Sequence, residues 1–96
     1  MMLQSTVNKR KKIDLSSAPW TMHEFFAGSG LVAYGLKGMF APVWANDISA
    51  QKATVYKANF GDDHFELDDI KNVKGNDLPF ANLSWASFPC QDLSLA

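Results

Sequence analysis

The chain has 96 residues, 9 basic and 10 acidic side chains, and a formal net charge of -1. That is room for one domain at most, and an apolar share of 47% predicts a packed core and excludes a disordered chain. One cysteine excludes an intrachain disulfide framework and fits a reducing, cytoplasmic setting, while no stretch reaches the roughly 20 apolar residues of a membrane helix.

Residues 1–18 are polar and are expected to form a flexible basic tail. No apolar stretch of signal-peptide type follows the charges. The basic run Lys9–Lys12 reads either as a solvated tail or as an arm contacting phosphates. Pro19 and Trp20 mark the entry to structure. "TMHEFFAGSG" predicts a strand over Thr21–Phe26 that breaks into a glycine turn. "LVAYGLKGMF" predicts a helix, with Val32, Leu36 and Met39 or Phe40 on one buried face, although Gly35 and Gly38 weaken it. "APVWAND" is a second strand ending in Asn46-Asp47.

Ser49 is placed to cap "AQKATVYKANF", whose stripe of Ala53, Tyr56 and Phe60 predicts a second helix ended by Gly61. "HFELDDI" is a third strand ending in Asp68-Asp69. A polar connection with Gly75 and Pro79 then leads to a fourth strand, Leu83–Phe88, stopped by Pro89. Strands alternating with helices imply an α/β fold with parallel strands and right-handed crossovers. Ligands of such sheets bind beyond the carboxyl ends of the strands. Each of the four strand ends here carries unusual residues: Gly28-Ser29-Gly30, Asp47, Asp68-Asp69 and Cys90.

Gly28 and Gly30 allow a tight turn and a close backbone approach to a ligand, and the following helix directs amides at it. The run Gly28–Ala33 satisfies G-x-G-x-x-G/A, a pattern that a simple strand-to-helix turn also meets. Asp47 follows Gly28 by 19 residues. A carboxylate there can accept both hydrogens of a ribose diol, whether of a nicotinamide dinucleotide or of S-adenosylmethionine. The plainer alternative is a carboxylate serving the next helix.

Asp69 could accept from an adenine amino group or could be part of a solvated acidic turn. His23 and His64 have no partners at metal-ligand spacing and read as structural, so no metal is expected. Cys90 stands behind Pro89, which fixes φ, and ahead of the polar Gln91-Asp92. A thiol so placed is accessible enough to be a nucleophile, although no neighbouring cation lowers its pKa.

Together these residues resemble the C5-cytosine DNA methyltransferases over about residues 21–96. "EFFAGSGL" resembles their glycine-rich first motif, "WANDI" the second, "LDDI" the third and "ASFPCQDLS" the Pro-Cys-Gln nucleophile motif. "TVYKANFG" resembles the stretch after the second. The resemblance implies a Rossmann-like fold, incomplete, with about four parallel strands in order 3-2-1-4. It also implies S-adenosyl-L-methionine as cofactor.

By this resemblance Phe26 packs on the adenine, while Ala27, Gly28, Ser29, Gly30 and Leu31 line the methionine part. Asp47 holds the ribose with Ile48 over the adenine, and Asp69 takes the adenine amino group with Ile70 beside it. Cys90 attacks C6 of a cytosine flipped out of double-stranded DNA, with Phe88, Pro89 and Gln91 around the base. RNA is the variant substrate.

Glu24 stands where Asp is common in the family, Leu31 where Gly is common, and Asn82 where an acidic residue is often found. The later Glu-Asn-Val and arginine motifs and the target-recognition domain do not occur in the 96 residues. The expectation is therefore the N-terminal part of a methyltransferase, residues 19–96, inactive alone and completed by a second chain or a further segment. The reading of another class is a nucleotide- or S-adenosylmethionine-binding module without chemistry. The glycine pattern and Asp47 suit both, and Asp69 with Pro89-Cys90-Gln91 favours the enzyme.

Overall fold

The computed structural model describes residues 12–87. Strand β1 (Trp20–Phe25) leads to a short helix α1 (Leu31–Gly35), strand β2 (Phe40–Asp47), helix α2 (Ala50–Phe60) and strand β3 (Phe65–Leu67). Two 3₁₀ turns, Ile70–Asn72 and Gly75–Asp77, precede strand β4 (Leu83–Ala86). The four strands form one sheet in the order β3-β2-β1-β4, and every pairing is parallel. This is the α/β class and the strand order expected from the sequence.

Alternation along β1 decides what lies on each face. Met22 and Glu24 are fully buried. His23 and Phe25 point the other way and pack edge-on or tilted against Trp44 of β2. His23 also bonds to Ser84 Oγ and the Pro79 carbonyl, which ties β1 to β4 and its approach. Asn82 does the same at the strand's start, its Oδ1 accepting from the Thr21 amide and hydroxyl. Pro42 cannot donate to a ladder. The β1–β2 register slips beside it, where Met22 faces Pro42 but His23 faces Trp44. β3 joins β2 only from Ala45 onward, so Pro42 lies outside the doubly paired part of the strand.

The core on the helical face gathers Ala27, Ala33, Ala45, Tyr56 and Phe60. The predicted stripe of α2 is buried as expected, Ser49 Oγ accepts from the Lys52 amide, and Gly61 ends the helix. The first helix differs from expectation. It stops at Gly35 rather than running to Phe40, and its buried residue is Ala33, while Met39 is 54% exposed. Two glycines in four positions each weaken a helix by about 1 kcal/mol relative to alanine. The chain instead turns through Leu36, whose carbonyl accepts from the Met39 and Phe40 amides, and enters β2.

The expected tail also ends earlier than residue 18. Ile13 and Leu15 pack against the core, and the Ile13 amide donates to the Asn59 carbonyl.

Candidate functional site

The site begins where β1 ends. Phe26, Gly28 and Gly30 all have positive φ, at 58°, 59° and 99°. Three such residues within five positions reverse the chain in a space that ordinary backbone cannot turn in. A bulky residue held there stores about 1–3 kcal/mol of strain. The two glycines serve different ends. A Cβ at Gly30 would lie 2.5 Å from Phe60 Cε2 and 3.1 Å from Tyr56 Cδ2, so the loop rests directly on the aromatic pair of α2. A Cβ at Gly28 would meet only Lys52 Cδ, at 3.8 Å, and that side of the loop is open.

Asp47, at the tip of β2, fixes the loop. Its Oδ2 accepts from the Gly28 amide at 2.8 Å and its Oδ1 from the Ser49 amide at 2.9 Å. One carboxylate thus joins the glycine loop to the entry of α2. Beside it, buried Asn46 donates to the carbonyls of Glu66 and Asp68 at 3.0 and 2.9 Å, holding the β3 tip against the β2 tip. Asp68 Oδ1 accepts from the Asp69 amide and from Asn72 Nδ2. Asp69 caps the first 3₁₀ turn through the Lys71 amide and lies 4.0 Å from the Lys71 ammonium. The Asp68 and Asp69 carboxylates are therefore engaged in shaping the turn.

A cleft of about 270 Å³ opens beside the loop, lined by Ala27, Gly28, Ser29, Leu31, Val32, Lys52 and Ser87. The structure brings Ala27 to Leu31 and Asp47 together. Phe26 begins the turn, Leu31 and Ile48 are exposed, and Ile70 opens the 3₁₀ turn after β3. Phe88, Pro89, Cys90 and Gln91 lie outside the described residues. Lys52 and Ser87 are cleft residues that motif reading did not select. One signal for Lys52 was available. A lysine in the first turn of a helix opposes the helix dipole, and that local conflict marks a position held for another reason.

Glu24 is a further residue of interest that its place in the first motif does not bring out. It is 0% exposed, and neither carboxylate oxygen has a hydrogen-bond partner. Burial pushes its carboxyl up to about 7, and the Ala33 backbone N–H opposes the shift without completing a bond. Burial, with the nearby Glu24 charge, raises the Tyr56 hydroxyl above its ordinary range. Tyr56 Oη lies 2.7 Å from His64 Nε2. Burial lowers His64, against the opposing pull of Asp63 and Asp62. A neutral imidazole accepting from the tyrosine hydroxyl fits both directions.

Among the described residues no group of three His, Cys, Asp or Glu side chains could hold a metal ion, and no helix is long and apolar enough to cross a membrane. The sequence of residues 20–96 matches a family model described as C-5 cytosine-specific DNA methylase. The chain is 37% identical over 73 residues to the type II methyltransferase M.Bsp6I of Bacillus sp. (strain RFL6), covering 74% of this chain and 23% of that protein. It is 36% identical over 78 residues to M.HaeII of Haemophilus aegyptius, covering 76% and 23%. Against M.NgoBI of Neisseria gonorrhoeae it is 37% identical over 67 residues, covering 70% and 19%. The chain thus spans 19–23% of the length of these relatives. With its four parallel strands in order β3-β2-β1-β4 and its site at their carboxyl ends, the chain belongs to the C-5 cytosine-specific DNA methylase family.

Proposed function

We propose that the chain supplies the cofactor-binding and nucleophile-bearing part of a DNA (cytosine-5-)-methyltransferase that uses S-adenosylmethionine. The observation that carries this reading is the Asp47 clamp. Its carboxylate holds the glycine loop at 2.8 Å and so makes the loop and the acidic β2 tip one concave unit at the strand ends. Two of the carboxylate's lone-pair sites are used by amides, which leaves acceptor capacity for a ribose diol. The cleft alongside has space for an aliphatic amino-acid chain, and exposed Ile48 after β2 and half-buried Ile70 after β3 would offer apolar cover for an adenine. The residues present therefore fit the cofactor, which when bound supplies the methyl group.

Cys90 would carry the covalent chemistry on the base. Its thiolate adds to C6 of the flipped cytosine, forming a C–S bond and making C5 nucleophilic. After C5 is methylated, loss of the C5 proton restores the C5–C6 double bond and expels the thiolate. A proline before the cysteine, with its fixed φ, would restrict how the thiol is presented. Double-stranded DNA is the proposed substrate. The motifs that would contact the flipped base and choose the sequence lie in the further part of the protein or in a second chain.

Calorimetry of the chain with S-adenosylhomocysteine and with NAD tests the cofactor. Binding of the first in preference to the second is expected, and equal binding or failure of both would overturn the reading. Trapping on duplex DNA containing 5-fluorocytosine, with S-adenosylmethionine present, tests the chemistry. No adduct is expected from this chain alone. A Cys90-dependent adduct is expected once a polypeptide carrying the later motifs is added, and its absence would count against the nucleophile role.

A further inference from the structure

The cleft beside the glycine loop contains one charged lining residue, Lys52. The rest of its wall is small or apolar, apart from the hydroxyls of Ser29 and Ser87. Lys52 projects from the first turn of α2, and its Cδ passes 3.8 Å from where a Gly28 side chain would begin. The stem therefore lies along the open side of the loop. Its ammonium forms no ion pair within 4 Å among the described residues, where the salt bridge found is Lys71–Asp69. Asp47, the carboxylate that grips the loop, has both oxygens turned to backbone amides. A cation in a first helical turn is unfavourable by a few tenths of a kcal/mol to about 1 kcal/mol, so its position is not explained by helix stability.

We propose that Lys52 is a cofactor-specificity residue whose ammonium binds the carboxylate at the amino-acid end of the cofactor. This rests on the reading of the cleft as an S-adenosylmethionine site. A ribose held at Asp47 lies on the loop side marked by the Gly28 amide, and a chain leaving it across Gly28 enters the cleft where Lys52 stands. An anionic end is the chemistry that a lone cation in a small apolar cleft selects, and about 270 Å³ takes an amino-acid chain but not a duplex backbone. A charge-assisted hydrogen bond at a partly solvated site corresponds to a change of about tenfold in affinity.

The test is calorimetry on the full chain and its Lys52→Met and Lys52→Arg variants. Lys52 is exposed, and methionine has similar helix propensity, so neither variant should disturb the fold. Two ligands are used: S-adenosylhomocysteine, and methylthioadenosine, which lacks the amino-acid end. Lys52→Met is expected to bind S-adenosylhomocysteine roughly tenfold more weakly, Lys52→Arg within a few-fold of the parent, and methylthioadenosine equally in all three. Equal binding of S-adenosylhomocysteine by parent and Lys52→Met would overturn the role of Lys52 and leave the cofactor reading standing. So would an equal loss of both ligands. If the parent binds neither ligand, the cofactor reading falls and takes this inference with it.

Discussion

Glu24 is a buried carboxyl with no hydrogen-bond partner among the described residues. Its pKa rises from 4.5 to about 7 on folding. Between those values the folded chain holds a proton that the unfolded chain releases. Stability is therefore greatest below pH 4.5 on this account, falls as pH rises to about 7, and changes no further above it, a total of roughly 3 kcal/mol. His64 works in the opposite sense: its lowered pKa makes stability rise with pH up to its ordinary value. The two slopes overlap, so the Glu24→Gln variant is the discriminating measurement. Denaturant midpoints from pH 4.5 to 8 should keep only the rising limb from His64 in that variant, and an unchanged falling limb would show that Glu24 is not its source. The strand that carries Glu24 was legible in the sequence. That no partner would meet the carboxyl was not, because the answer depends on where Tyr56 and the Ala33 amide are placed by other elements.

At the level of elements, the unit that matters is the glycine loop held between β2 and α2. Asp47→Ala removes two hydrogen bonds from backbone amides to a charged acceptor. We expect the denaturant midpoint to fall by the equivalent of about 2 kcal/mol with no change in m, and exchange of the Gly28 and Ser49 amides to accelerate. Unchanged exchange at those two amides would mean that the clamp does not order the loop. The sequence showed α2 plainly, because Ser49, the stripe of Ala53, Tyr56 and Phe60, and Gly61 all point to one helix. It overstated α1, because spacings of three and four persist through Leu36 and Phe40 although Gly35 and Gly38 leave the helix too weak to continue. Asp47 was legible as a strand-tip carboxylate. Its grip on Gly28 is a tertiary contact across 19 residues that no local pattern encodes.

For the molecule as a whole, alternating strands and helices together with the family resemblance sufficed to give the sheet order. The same order places β4 at a margin of the sheet. Among the described residues β4 pairs with β1 on one side only, and it presents Trp85, 42% exposed, with Phe80 on its approach 82% exposed. A strand edge that presents aromatic side chains in this way invites pairing with another chain. Sedimentation at rising concentration should show self-association of the 96-residue chain, reduced by Trp85→Lys; a monomer across the whole range would exclude it. The same topology sets the order of assembly. β1 lies inside the sheet, yet its contact with β4 closes over 61 residues, as between Thr21 and Asn82. Synthesis at 5–20 residues per second separates the two by about 3–12 s, and once β2 has followed β1 out, β1 has a partner strand on one side only until β4 is made. Non-local parallel pairing is intrinsically slow to form. The nascent chain should therefore pass through a three-stranded state whose open flank is β1 itself, and a chaperone that binds extended apolar segments would find Trp20–Phe25 before β4 does.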